Sequence, residues 1–388
     1  MIQYFSADYV IPITSMPIEK GIVAVQEGEI LGVYSPQDFS LSVEVKQLSG
    51  VLIPGFINTH CHLELSHMIG EIPQKTGLVG FIGQVVQKRG NDIQKIKQSM
   101  LEADRSMFEQ GIQAVGDHAN QSVSAEVKES SEIIYHTFVE IIGLNDHEIQ
   151  KKIEEAKEVE LHFDANHSSI TPHAPYSCSK NLFKTFKTSI SDENIISIHN
   201  QESEEENKLF RYKTGDFLKF YQKIGYDLNL FKAQARNSIQ SYFNYLPSNN
   251  RIILVHNTFT SLRDLDFISR MEKNVTLCLC PKANLYIENA LPKVSLFESS
   301  NFDIALGTDS LASNDSLSIL DELKVLHRHF TDLSFLETIK WATINGAKAL
   351  GLDAILGSLE VGKRPGLVLL KNMSDLEITD EVKVERII

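Results

Sequence analysis

One pattern recurs along the chain. A short apolar run rich in β-branched residues stops at a polar or ionisable side chain, and apolar positions at helical spacing follow. The runs cover 52–59, ending at His60 and His62; 112–116, ending at Asp117 and His118; 133–141, which holds Glu140; and 168–171, leading to His173. Four more cover 195–198 before His199, 252–255 before His256, 275–279 before Cys280 and 302–307 before Thr308 and Asp309. Helical spacing fills 92–109, 148–160 and 262–272. Strands alternating with helices pair in parallel, and eight such units predict an α/β fold, a (β/α)8 barrel of the TIM type. A doubly wound open sheet is the alternative, but no Gly-rich phosphate loop follows the first run.

The flanks carry a different rhythm. Short strands with turns between them are predicted at 22–26, 30–34 and 43–48, and again at 367–370 and 382–388. The two chain ends, 1–50 and 352–388, are therefore expected to meet in a small β-sandwich domain beside the barrel domain, 51–351. The connection from His199 to Arg251 is long and helical in pattern over 205–212, 216–223 and 233–245. At the active face of a barrel such an insertion shapes a pocket or a lid.

Composition narrows the partners. The 388 residues are 42% hydrophobic, and no run of about 18 apolar residues offers a membrane span. The first residues lack the basic-then-apolar order of a signal peptide. Four cysteines, at 61, 178, 278 and 280, make no disulfide framework and suit a reducing cytoplasm. A formal net charge of −14 argues against nucleic acid or an anionic membrane as the main partner, leaving a small-molecule substrate. A homo-oligomer is expected.

The chemistry follows from placing the strand ends around one barrel mouth. Alternation sends His60 and His62 to the same side of their strand, with Cys61 on the other. Together with His199 and Asp309 they supply three neutral nitrogens and a carboxylate, a donor set for one divalent ion, Zn²⁺ first and Fe²⁺ second. Such an ion leaves a position for water and can bring its pKa to about 7. Glu202, three residues beyond His199, stands where a proton shuttle is needed, whereas Glu204, Glu205 and Glu206 are read as the solvated start of a helix. His256 is placed to orient or polarise the attacking and departing groups. If the chain stays extended past His62, Glu64 continues the inward series and meets substrate, with His173 approaching from strand four. Cys278 and Cys280 are expected to line the barrel interior.

In order along the chain, Pro54-Gly55-Phe56-Ile57-Asn58-Thr59-His60-Cys61-His62, Thr171-Pro172-His173-Ala174-Pro175-Tyr176-Ser177, His199-Asn200-Gln201-Glu202, Leu254-Val255-His256-Asn257 and Gly307-Thr308-Asp309-Ser310 resemble the amidohydrolase superfamily, in its cytosine deaminase, S-adenosylhomocysteine deaminase and chlorohydrolase branch. The tail segments Ala342-Thr343-Ile344-Asn345-Gly346-Ala347 and Gly357-Ser358-Leu359-Glu360-Val361-Gly362-Lys363 match as well. The resemblance implies one metal held by His60, His62, His199 and Asp309, acid–base roles for Glu202 and His256, and a substrate contact for His173. Dinuclear relatives bridge their metals with a modified lysine, and the fourth strand here has none. Leu63-Glu64-Leu65-Ser66 stands where many adenosine-type members carry small apolar residues, and Gly366 replaces a customary acidic residue. The expected activity is hydrolysis of a carbon–nitrogen bond, the deamination of a heteroaromatic ring such as a purine nucleoside, with aminodeoxyfutalosine and S-adenosylhomocysteine as candidates by resemblance. Chloride or an amide nitrogen as leaving group is the alternative; a catalytically silent barrel scaffold is the rival from another class.

Overall fold

The computed structural model describes residues 1–40, 42–90 and 92–388. Its first buried run does not form one strand. The chain divides at Gly55, where a Cβ would fall 2.3 Å from the Gln113 side chain and 2.8 Å from the Pro365 carbonyl. Val51–Pro54 pairs antiparallel with Leu367–Lys371 and parallel with Tyr9–Val10, and only Phe56–Cys61 enters the barrel. The barrel therefore starts at Phe56 and not at 51. Two adjoining strands of different sheets, both fully buried, read in sequence as one apolar run.

The eight barrel strands are β1 (Phe56–Cys61), β2 (Ile112–Ala119), β3 (Ile134–Ile141), β4 (Ser168–Pro172), β5 (Ile196–Asn200), β6 (Ile252–His256), β7 (Val275–Leu279) and β8 (Asp303–Leu306). They form two parallel four-stranded sheets, β4-β3-β2-β1 and β5-β6-β7-β8. Side chains and isolated backbone bonds together stitch the seams between the sheets. Where β1 meets β8, Asn58 Nδ2 donates to Thr308 Oγ1 (2.7 Å), Thr308 N donates to His60 O (2.9 Å), and Cys61 bridges Asp309. Where β4 meets β5, Thr171 Oγ1 donates to Ser197 O (2.6 Å) and Ile195 N donates to Ser169 Oγ (3.1 Å). Hydroxyl and amide groups thus replace ladder partners that the backbone does not supply.

Outer helices bury one stripe each. Ile96, Met100, Ala103 and Met107 are the buried residues of Ile93–Glu109, at helical spacing, and Ile153 and Ala156 belong to the same core. The chain ends build two small sheets around Phe5, Val23, Ile30, Leu52 and Leu367, the β-sandwich expected from the flanks. Of the predicted flanking strands, 43–48 shrinks to Lys46–Gln47. No helix among the described residues is long and apolar enough to cross a membrane.

Two segments cover the carboxyl face. One follows β1 and holds α1 (Gly77–Lys88); the other, after β5, holds α2 (Glu204–Tyr212) and α3 (Asp216–Lys223). They share an apolar cluster that includes Met68, Leu78, Phe81, Tyr176, Phe210 and Phe217. The predicted helix over 233–245 is broken into Ile239–Tyr242 and a 3-10 turn. The buried Asp264 carboxylate anchors this stretch, accepting from Gln201 Nε2 (3.1 Å), Asn237 Nδ2 (2.7 Å) and Gln240 Nε2 (3.1 Å).

Candidate metal and catalytic site

At the end of β1, His60 and His62 face inward. The strand stops there because Leu63 N donates to Asp117 Oδ1 (2.6 Å) and the backbone turns into a 3-10 segment, Leu63–Met68. At the end of β5, His199 Nδ1 donates to His173 O (2.9 Å), which fixes its tautomer and leaves Nε2 as a lone pair. That nitrogen lies 3.1 Å from His62 Nε2. Asp309 Oδ1 stands 3.9 Å from His60 Nε2 and 3.8 Å from His62 Nε2, while its other oxygen accepts from Ser313 Oγ (2.7 Å).

Electrostatics keep these rings neutral. Burial holds His60 and His199 well below the ordinary imidazole range and puts His62 at about 3. Both ring nitrogens of His60 are buried without a hydrogen-bond partner. An imidazole buried without any partner is unfavourable in a bare protein, and a cation held between it, His62 and His199 would satisfy it. Two nitrogens sharing one tetrahedral ion at bonds of about 2.0–2.1 Å sit roughly 3.3 Å apart, close to the separation found here. The residues fit one divalent metal ion.

Two groups that the sequence reading passes over complete the arrangement. His118 joins His60, His62 and His199 in one tight cluster. Its Nδ1 donates to Glu140 Oε1 (2.9 Å) and its Nε2 accepts from Ser197 Oγ (2.8 Å), so both nitrogens are engaged. Glu140, His173 and His199 are close enough to suggest a second ion. Glu140 already accepts from His118 and from Asn120 Nδ2 (2.8 Å), and His199 Nδ1 is bound to a carbonyl, which makes the group a hydrogen-bonded hub. Burial alone would push the Glu140 carboxyl up. His173, the hydrogen bond from His118 and the His62 ring outweigh it and hold that carboxyl well below its usual range. Inward alternation on strands two and three was the signal available for both residues.

Glu202 and His256 meet across the mouth, with His256 Nε2 3.7 Å from Glu202 Oε1. His256 Nδ1 donates to Asn284 Oδ1 (3.0 Å), and its Nε2 is buried without a partner. Burial pushes the Glu202 carboxyl well above its usual range, with Asp309 and Glu288 adding to the effect. Tyr176 Oη donates to Glu202 Oε2 (3.4 Å). The backbone is left-handed at Gln201 (φ 46°), His256 (φ 72°) and Asp309 (φ 57°). Such non-glycine residues cost about 1–3 kcal/mol each and gather where a site needs its side chains aimed.

Two expectations need correction. Glu206 is not part of a solvated helix start; it is fully buried and accepts from Gln201 N (3.0 Å) and Glu202 N (3.3 Å), so it holds the backbone beside Glu202. Nor does the chain stay extended past His62, so Glu64 does not continue the inward series. Its carboxylate is taken by Arg89 Nη2 (2.6 Å), Asn120 N (3.3 Å) and Gln121 N (3.2 Å). His173 is half-buried at the mouth, with its ring 4.7 Å from that of His199 and its Nδ1 2.7 Å from Ser177 Oγ. Cys278 and Cys280 pack together with Ile57 and Val255 in one buried cluster.

Comparison with known proteins bears on the family and the fold. The pattern of the amidohydrolase family matches residues 51–386. An adenosine deaminase of Helicobacter pylori is 29% identical over 330 residues, covering 82% of this chain and 78% of that protein. A 5'-deoxyadenosine deaminase of Methanococcus maripaludis is 29% identical over 357 residues, covering 86% and 78%. Among solved structures, Helicobacter pylori aminofutalosine deaminase in complex with methylthio-coformycin superposes with a TM-score of 0.82 at 24% identity, over 96% of this chain and 93% of that one.

Proposed function

The chain belongs to the amidohydrolase family, and from that membership we propose a metal-dependent aminohydrolase that releases ammonia from a heteroaromatic ring, with purine nucleoside-like substrates first. The observation that carries this reading is the convergence of buried donors: His62 Nε2 and His199 Nε2 lie 3.1 Å apart, Asp309 Oδ1 stands 3.9 Å from His60 Nε2, and Glu202 is buried beside them. The curated relatives at 29% identity, named for adenosine and 5'-deoxyadenosine, support the substrate class.

His60, His62, His199 and Asp309 would hold the ion, and three imidazoles with one carboxylate suit zinc, with iron(II) second. Once bound, the ion would lower the pKa of a water so that it ionises and attacks near neutral pH. Glu202 moves the proton: its buried carboxylate takes it from the water and delivers it to the ring nitrogen next to the amine-bearing carbon. His256, oriented by Asn284, presents Nε2 to the oxygen being added. His256 and Asp309 steady the tetrahedral carbon while the proton on the added oxygen passes to the amine nitrogen; the C–N bond then breaks, ammonia departs and the ring carbon is left as a carbonyl. His173 contacts the bound substrate from strand four, and Glu64 reaches it only through Arg89. The apolar cluster of α1, α2 and α3 excludes water from above.

A panel of amino-substituted purines and their nucleosides, pyrimidines and pterins, read by ammonia release, tests the proposal. Chloro analogues read by chloride release form the comparison arm. Turnover confined to the chloro compounds would replace the aminohydrolase with a chlorohydrolase.

A further inference from the structure

A hydrogen-bonded chain runs behind the imidazoles from the barrel interior to its rim. Ser197 Oγ meets His118 Nε2 at 2.8 Å, and His118 Nδ1 meets Glu140 Oε1 at 2.9 Å. Glu140 Oε2 accepts from Asn120 Nδ2 (2.8 Å), and Asn120 Oδ1 accepts from Arg89 Nη1 (3.0 Å). Arg89 Nη2 then donates to Glu64 Oε2 (2.6 Å). Ser197, His118 and Glu140 are buried in the barrel, whereas the Arg89 side chain, just past the end of α1, is 30% exposed.

The proposed reaction gives Glu140 no part. A buried carboxylate is costly unless neighbours are arranged around it, and here three imidazoles are. Besides its bond from His118, Glu140 Oε1 lies 3.8 Å from His199 Nδ1 and 3.9 Å from His173 Nε2. A negative group on that side favours the proton on His199 Nδ1 and keeps Nε2 turned, as a lone pair, toward His62. Asn120 holds the second carboxylate oxygen, and Arg89 holds Asn120.

We propose that Glu140 is a positioning residue that orients His199 and His173, and that Arg89, acting through Asn120, couples the seating of the α1 segment over the barrel mouth to that orientation. The inference rests on the metal reading above. Its practical meaning is that the metal-binding geometry is set partly from the cap, by residues that touch neither ion nor reacting atoms.

The test is zinc binding by metal-stripped protein in competition with a chromogenic chelator, together with the melting temperature of the metal-free chain. Glu140→Gln keeps the size and one acceptor, for His118, but removes the charge and the second acceptor that holds Asn120. It should weaken zinc binding by about 10–100-fold, while the metal-free melting temperature stays level or rises. A purely structural role would lower that temperature. Arg89→Met and Asn120→Ala should each weaken zinc binding by a smaller factor. Arg89→Lys should not rescue, because an ammonium cannot bridge Asn120 and Glu64 as a guanidinium fork does. The Arg89→Met/Glu140→Gln double variant should bind zinc no more weakly than Glu140→Gln alone. If Glu140→Gln does not fold, Asn120→Ala combined with Arg89→Met carries the same cycle. Unchanged zinc binding in Glu140→Gln, or independent effects in the double variant, overturns the coupling; failure of the wild-type chain to bind zinc overturns the metal reading instead.

Discussion

His256 Nε2 faces Glu202 Oε1 across 3.7 Å inside a buried pocket, and the His256 ring lies 5.5 Å from that of His199. The acid–base pair and the imidazole cluster therefore share one space. Burial raises the Glu202 carboxyl well above its usual range and lowers the His256 imidazole, which makes Glu202 a stronger base for the water's proton and draws the proton affinities of the two groups together.

Glu202→Gln retains the shape and the Tyr176 contact but cannot shuttle a proton. Steady-state ammonia release should fall by about 10²–10⁴-fold with the metal retained. Glu204→Gln is the control: that side chain is well exposed and pairs with Arg211 at 3.4 Å. Equal losses in both variants would mean that the acidic run acts only through its field.

Glu206 gives a pH signature. Burial raises its carboxyl from 4.5 to about 8. With the folded value above the unfolded one, its contribution is fully present below about pH 4.5 and is lost as pH rises toward 8. Glu206→Gln mimics the protonated form and should become more stable relative to wild type across that window, by up to about 1.4 kcal/mol per pH unit. Urea unfolding of both proteins at pH 5 and pH 8 measures the difference; a gap that does not widen with pH contradicts it.

The seam between β1 and β8 should be sensitive to one amide. Asn58 donates to Thr308 Oγ1 at 2.7 Å and accepts from Thr308 N at 3.1 Å. Asn58→Ala takes the donor from the buried Thr308 Oγ1 and leaves Thr308 N with His60 O alone, and it should cost about 1–3 kcal/mol in chemical denaturation. His60 and Asp309 flank this contact, so zinc retention should weaken too; unaltered stability would show that water replaces the amide.

His173→Asn should change kcat/KM and the preference among purine nucleosides while metal content stays at the wild-type level. Loss of metal in that variant would move His173 from substrate contact to ion ligand.

The sequence made the strand ends legible because a barrel collects them on one face, and His60, His62, His199, His256 and Asp309 all fall there. What escaped it was set by packing. The 51–59 run hides the break at Gly55, because both strands are buried and only the crowding around Gln113 and Pro365 separates them. The turn at Leu63 depends on Asp117, 54 residues away in sequence, and it diverted Glu64 to Arg89. Glu206 looked like its neighbours in an acidic run, and only the fold decides which of them points inward. His118 and Glu140 sat on predicted strands, but their importance lies in mutual contacts that no spacing encodes.

Ammonia release from a purine nucleoside by metal-stripped protein, followed as zinc is added back, is the most direct measurement. The expected curve starts at the background rate and saturates at one zinc per chain, and His60→Ala and Asp309→Ala remain at background throughout. Full ammonia release by the wild-type chain before any zinc is added would contradict the metal-dependent deaminase.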